Sequence, residues 1–448
     1  MPNTKTRLAV LIAAAGMAAT APVQAANWLI LQGTEPAGAA ERARLWGFIQ
    51  PEFQYTEGTE LEAGPFSGQD AIFNTIGPDR DASSQFNIRR ARIGVRGQGF
   101  PLDSKTNYFF LVEAGNNGIT KPGGGLGSLK LTDASVTFNH FDAARVRVGQ
   151  FKTPGAEEGL KAIHVFDYVN FTSVTDGVLL ERYIDADGSA PNDPNGPNGP
   201  VGAFRDIGVQ LFQTFKRDGW EHSYAVMVGN GNGLARSDNN NEKDIYLYLS
   251  TEKIFGGKGA RRQGWKGFVW YQQGDRTLTL AQGTDSTADD VEDDFERKRW
   301  GVGTTYLNGK YRAAAEYIVA DGMIRNGTDG GAIPGALSNA GTSRASLNVL
   351  PEDEADGWYL DFGYKIRPDI ELDIRYDRFN RATDTDAAER RFDTLTLGAQ
   401  YFFNKKTRFI FNYEFREAEA PNLPNSAVPN QILDGMDDRI SAQILAIF

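Results

Sequence analysis

Apolar and polar residues alternate with a period of two through much of this chain. The last ten residues are typical: Ile440, Ala442, Ile444, Ala446 and Phe448 fall on one face and leave Arg439, Ser441 and Gln443 on the other. Such a period belongs to a strand with one apolar side. Alternation, bounded by Gly, Asn, Asp and Pro turn signals, predicts sixteen strands near 44–55, 85–97, 106–115, 129–139, 144–151, 204–215, 220–229, 244–253, 265–274, 298–306, 311–320, 357–365, 370–379, 391–403, 407–416 and 438–448.

The links between these strands alternate in length. Every second one is mostly tight, and several carry hairpin chemistry, as in Asp218-Gly219, Asn308-Gly309 and Pro368-Asp369. Two of these, near 98–105 and 254–264, are looser. The others are long, roughly 56–84, 116–126, 152–203, 230–243, 275–297, 321–356, 380–390 and 417–437. Short turns at one rim and long loops at the other are the rhythm of bacterial outer-membrane barrels, in which apolar residues face lipid and polar residues the lumen. The apolar rows fit such an outer band: Phe409, Phe411, Tyr413 and Phe415; Leu395, Leu397, Ala399, Tyr401 and Phe403; Trp358, Leu360, Phe362 and Tyr364; and Trp300, Val302 and Tyr306. The expected fold is all-β, a closed transmembrane antiparallel barrel with short periplasmic turns and long external loops. An even strand count puts both termini on the periplasmic side.

Composition narrows the picture. Mean hydropathy is polar at −0.42, and no mature segment has the roughly 18 consecutive apolar residues of a spanning helix. Lys5 and Arg7, the apolar run to Ala21 and the small-residue site Val23-Gln24-Ala25 predict a secretory signal over 1–25. Its removal takes two positive charges and no acidic ones, so the formal charge goes from −11 to −13. That acidity argues against nucleic acid as a partner. With no cysteine, disulfides and thiolate metal sites are excluded. Residues 26–43 lack a clear period and read as a periplasmic lead-in, ahead of a barrel domain over 44–448.

Candidate chemistry lies on two basic strands. In Arg89-Arg90-Ala91-Arg92-Ile93-Gly94-Val95-Arg96, alternation sets Arg90, Arg92 and Arg96 on one face. An arginine facing lipid near the midplane costs roughly 2–4 kcal/mol, so this row is expected to face the lumen, with Arg89 on the lipid side at the rim. Arg145 and Arg147, alternating with Val146 and Val148, are expected inward by the same argument. A column of permanently charged guanidinium groups gives a mobile anion successive weak partners. The alternative is that these arginines pair with lumen acids such as Asp133 and Glu113 and hold the wall together.

The motif at 89–97, Val146-Arg147-Val148-Gly149-Gln150-Phe151-Lys152-Thr153-Pro154 and the aromatic-ended C-terminal strand resemble the phosphate-selective porins, the porin O and P family. The resemblance implies a sixteen-stranded trimeric porin whose third external loop folds into the channel. It also implies candidate channel-lining roles for Arg90, Arg92, Arg96, Arg145, Arg147 and Lys152. Phe448 would be the signal read by the barrel assembly machinery. Outer-membrane lipid and lipopolysaccharide are the expected surroundings, small inorganic or organic ions the expected cargo, and no cofactor or metal is expected.

Residues 152–203 are the expected constriction loop, with Glu157, Glu158, Lys161, His164 and Asp167 in its first part. One departure from the family is the stretch after Pro154, which reads Gly155-Ala156-Glu157-Glu158. From Lys152 to Asp187 the loop carries a net −4, and an acidic loop across from a basic wall would make a transverse field as in general diffusion porins. His164 could add pH-dependent charge there. The acidic stretch Asp285, Asp289, Asp290, Glu292, Asp293, Asp294 and Glu296 reads as a solvated external loop, with divalent bridging to lipopolysaccharide as the sharper reading. The expected function is passive diffusion of small hydrophilic solutes with anion preference. The alternatives are a general porin with weak or cation preference, and a structural barrel housing a partner protein. The three histidines form no catalytic or metal-ligand spacing, so an enzyme is not expected.

Overall fold

The computed structural model describes residues 27–31, 42–58, 60–70, 73, 84–99, 102–116, 119–120, 129–180, 204–234, 238, 240–257, 261–280, 291–327, 331–332, 336–343, 345 and 348–448. The signal at 1–25, the Pro/Asn-rich run at 191–197 and Asp285, Asp289 and Asp290 lie outside the described residues. In chain order the strands are β1 (Arg44–Gly58), β2 (Ser84–Gln98), β3 (Thr106–Glu113), β4 (Lys130–Phe138), β5 (Arg145–Lys152), β6 (Arg205–Arg217), β7 (Trp220–Gly229) and β8 (Asp244–Gly256). They continue as β9 (Gln263–Leu280), β10 (Val291–Asn308), β11 (Tyr311–Asp321), β12 (Ile324–Gly327), β13 (Asn348–Leu350), β14 (Glu354–Arg367), β15 (Ile370–Arg381), β16 (Arg390–Phe402), β17 (Thr407–Glu419) and β18 (Met436–Ile447). Strands β12 and β13 form a separate ribbon. The other sixteen close into one antiparallel barrel, each paired with its neighbour in the chain, β11 with β14, and β1 with β18.

Closure follows from the solvent the strands meet. Hydrocarbon offers no partner to a backbone N–H or C=O, so a sheet that crosses it can have no open edge. At the seam Phe48 pairs with Ile447 and Tyr55 with Ile440. Gly47 and Phe448 extend it by exchanging backbone hydrogen bonds of 3.0 and 3.3 Å. A Cβ at Gly47 would lie 2.4 Å from both the Arg92 carbonyl oxygen and the Phe448 ring. Glycine there lets the terminal ring cover the seam.

The pleat sorts side chains as the alternation predicts. Trp300, Val302, Leu360, Phe362, Ile374 and Leu397 are exposed on the outer surface, while Arg299, Asp373, Arg375 and Thr396 from the same strands are buried inside. In the β6–β7 turn both Asp218 (φ 51°) and Gly219 (φ 77°) are left-handed, the backbone a two-residue hairpin of this twist requires.

Three departures from simple alternation shape the lumen. The first is a β-bulge in β2: Gln50 pairs with Arg90 but the next residue, Pro51, pairs with Ile88. Arg89 is the extra residue, and Pro51 has no N–H to leave unpaired. Arg89 therefore turns inward, not to the lipid side, and its Nη1 donates to Glu52 at 3.3 Å and to Asn170 at 2.9 Å. The second is an apolar inner face. Phe212, Tyr248, Phe268, Trp270, Ile318 and Phe379 point inward from β6 to β15 and pack into one cluster with Leu160, Val174 and Leu29. The third corrects the lead-in. Its described start, 27–31, lies in the lumen, because that apolar inner face buries Leu29 to 2% exposure.

The β9–β10 hairpin is also taller than alternation suggests. Its strands run to Leu280 and from Val291, so Glu292, Asp293, Asp294 and Glu296 belong to β10 and not to a loop. The Thr277-Leu278-Thr279-Leu280 stretch carries the pairing up to Leu280, opposite Val291.

Candidate functional site

The basic wall is built by β2 and β5. Arg90, Arg92, Arg147 and Lys152 are buried inside the barrel, and Arg96 and Arg145 are half-buried. Their partners differ in kind. Arg92 is ion-paired with Glu113 at 2.7 Å. Asp133 belongs to Arg205 of β6, at 3.0 Å, a residue that alternation alone did not single out. Arg90 donates to the Gln50 side-chain oxygen at 3.2 Å. Arg147 donates to Thr137 at 3.3 Å and the Leu29 carbonyl at 3.4 Å, and its guanidinium lies 4.6 Å from the Phe212 ring centre. The Lys152 ammonium donates to the carbonyls of Gly159 and Lys161, both at 2.7 Å. Pairing with lumen acids thus holds for Arg92, while Arg90, Arg147 and Lys152 donate to neutral oxygens.

The segment after Lys152 crosses the lumen. In the ring of strands β15 lies eight places from β5, and contacts from this segment reach it. Ser173 N–H donates to Asp377 at 2.8 Å, and Arg375 donates to the Asn170 carbonyl at 3.1 Å. Asn170 gathers the opposite wall: its side-chain amide donates to Glu414 at 2.9 Å and Ser441 at 3.1 Å while its oxygen accepts from Arg89. Val169 N–H donates to Asn412 at 2.8 Å. A cap from Thr172 starts the short helix Ser173–Val178, whose Val174 and Val178 sit in the apolar inner cluster.

Every acid of the described part of the segment meets a cation. Glu157 pairs with Lys266, Glu158 with Arg375 at 3.4 Å and Asp176 with Arg325 at 3.2 Å. Asp167 is shared by Lys161, Arg261 and Arg312. Burial would raise the Asp167 carboxyl, but Arg312, Lys161, Arg261 and Arg408 together hold it well below the usual carboxylate range. These acids therefore do not look across open water at the β2–β5 arginines, as a transverse field would need. Glu181, Arg182, Asp185 and Asp187 lie outside the described residues.

His164 rests against Trp46 and Phe48, with ring centres 5.8 and 5.3 Å away. Its burial, with Lys152, Arg408, Arg92 and Arg96 around it, pushes its pKa down to about 3. The pH-dependent charge considered for this residue is therefore absent near neutrality.

A closed barrel with an apolar exterior and a charged interior defines an outer-membrane channel. The chain belongs to the Gram-negative porin family, which it matches over residues 8–420, and its place is the outer membrane of a Gram-negative bacterium. Membership points to a channel for diffusion rather than an enzyme. Among solved structures it is similar to a loop L8 deletion mutant of OmpT from Vibrio cholerae, with a TM-score of 0.52 and 11% identity over 91% of this chain and 99% of that one. It is also similar to Salmonella typhi OmpF in complex with daunomycin, with a TM-score of 0.52 and 14% identity over 91% of this chain and 97% of that one. No curated protein sequence matches it.

Two outcomes follow from this geometry. Each buried hydrogen bond removed costs about 1 kcal/mol, so Asn170→Ala, which loses several, should loosen the crossing segment and raise open-channel current noise. Noise equal to that of the unmodified channel would contradict the anchoring role. For His164 the folded pKa lies below the ordinary value, so its protonation destabilises the fold, with stability lost as pH falls below about 6.5. Between about pH 5 and 8 the ring stays neutral, and His164→Asn should leave the pH profile of conductance unchanged. A conductance step near pH 6 that the substitution abolishes would overturn this.

Proposed function

We propose that this porin passes small hydrophilic solutes by passive diffusion and prefers anions, phosphate or other small anions among them. The observation that carries the reading is an imbalance. Arg90, Arg147 and Lys152 have neutral hydrogen-bond partners, whereas the described acids of the crossing segment, Glu157, Glu158, Asp167 and Asp176, are each matched by a cation. Unbalanced fixed charge in a narrow, low-dielectric passage favours counter-ions of the opposite sign. Arg96 and Arg145, half-buried on the same wall, would extend the path, and residues 152–203 would form the constriction.

The rival readings weigh less. Cation preference drew on the acidic segment, whose described carboxylates are compensated. A barrel housing a partner protein needs lumen space that residues 27–31 and 153–180 of the chain itself occupy. The zero-current potential under a potassium chloride gradient tests the preference. It should carry the anion-selective sign, and Arg90→Ala with Lys152→Ala should lower the anion-to-cation permeability ratio about severalfold. A cation-selective sign, or a ratio untouched by the substitutions, would reject it. Phosphate block of the chloride current then separates phosphate from other anions.

Assembly belongs to the same proposal. Phe448 is exposed at the seam, where the barrel assembly machinery could read it, and the chain is proposed to form a homotrimer in lipopolysaccharide-bearing membrane. Deleting Phe448 should sharply reduce heat-modifiable folded trimer in outer membranes. Normal trimer levels would refute its signal role, and a monomer from the intact chain would refute the trimer.

A further inference from the structure

We propose that residues 27–31 form a built-in plug: the inner groove of β5 to β9 holds the chain's own N-terminal segment, which narrows the periplasmic half of the passage. This rests on the diffusion reading above. Three observations carry it. Asn27 is fastened to the wall by three side-chain hydrogen bonds, donated to Thr214 at 3.1 Å, Glu221 at 3.0 Å and Ser223 at 2.7 Å. Leu29 is 2% exposed and belongs to the inner cluster with Phe212 and Tyr248, against which Trp28 and Ile30 also pack. The Leu29 carbonyl accepts a hydrogen bond from Arg147 at 3.4 Å, so the segment sits over one of the wall's cations.

The fit is chemical as well as spatial. An aqueous lumen would leave Phe212, Tyr248 and Phe268 facing water, an arrangement that apolar surface disfavours. A short apolar peptide headed by an amide satisfies both that patch and the Thr214, Glu221 and Ser223 side chains. These three flank the short β6–β7 turn, on the rim where tight turns and both chain ends gather, and this places the plug at the periplasmic mouth.

The segment does more than fill space. By accepting a hydrogen bond from Arg147 at the Leu29 carbonyl, it takes the place a passing anion would use, so it lowers both conductance and the number of cations offered to the ion. Deletion of residues 27–31 should therefore raise unit conductance in a planar bilayer and shift the zero-current potential further toward anions. A synthetic Asn-Trp-Leu-Ile-Leu peptide, added on the periplasmic side alone, should block the deleted channel and leave the intact one unaffected.

Leu29→Asp provides a second variant that keeps the chain length, and its conductance should also exceed that of the intact protein. Heat-modifiable mobility of each variant reports that the barrel has folded. Conductance and selectivity equal to those of the intact channel, with no peptide block, would overturn the plug and leave the diffusion reading standing. Absence of conductance from every folded form would overturn that reading and the plug with it.

Discussion

A backbone amide in hydrocarbon has only another backbone group to bond, and the molecule answers to that constraint throughout. It dictates sixteen strands with no free edge, a seam that ends in an exchange between Gly47 and Phe448, and an outer surface left to apolar side chains. It also explains why the charge is inside. Arginines that lipid would reject can be gathered in numbers on the inner face, where carboxylates, amides and aromatic rings receive many of them. Net acidity of the chain as a whole says little about the sign of the field within, because that depends on which charges are paired.

Inside, the barrel has two characters. One arc, β6 to β15, offers aromatic and aliphatic side chains to the crossing segment and to Leu29. The other, centred on β2 and β5, offers guanidinium groups. The segment after Lys152 is held by both means, packing Val174 and Val178 on the apolar arc and hydrogen-bonding Asn170 to strands at the seam. Its position is thus specified by hydrophobic contact along one side and by directional polar contacts along the other.

Much of this was legible in the residues, and the reasons divide cleanly. Every barrel strand was visible, β7 over the same residues 220–229, because lipid on one side and water or charge on the other impose a strict period of two. The inner apolar arc was missed, although the signal was there: Ile245 to Leu249 and Phe268 to Tyr271 are apolar at consecutive positions, which means that both faces of those strands bury something. The lumen site of residues 27–31 was missed for the same reason. Ion pairs such as Glu158 with Arg375 were beyond reach, since only closure of the ring brings together residues 217 apart in the chain. The inward turn of Arg89 was hidden because alternation presumes an unbroken register, and Pro51 was its one local hint.

That bulge has a consequence of its own. Before it, the even-numbered residues Phe86 and Ile88 face lipid; after it, the even-numbered Arg90 and Arg92 are buried within the barrel. Arg89 works like a frameshift written in backbone geometry, letting one strand be read in two phases. The five residues ahead of it owe their side of the membrane boundary to this single inserted position rather than to their own composition.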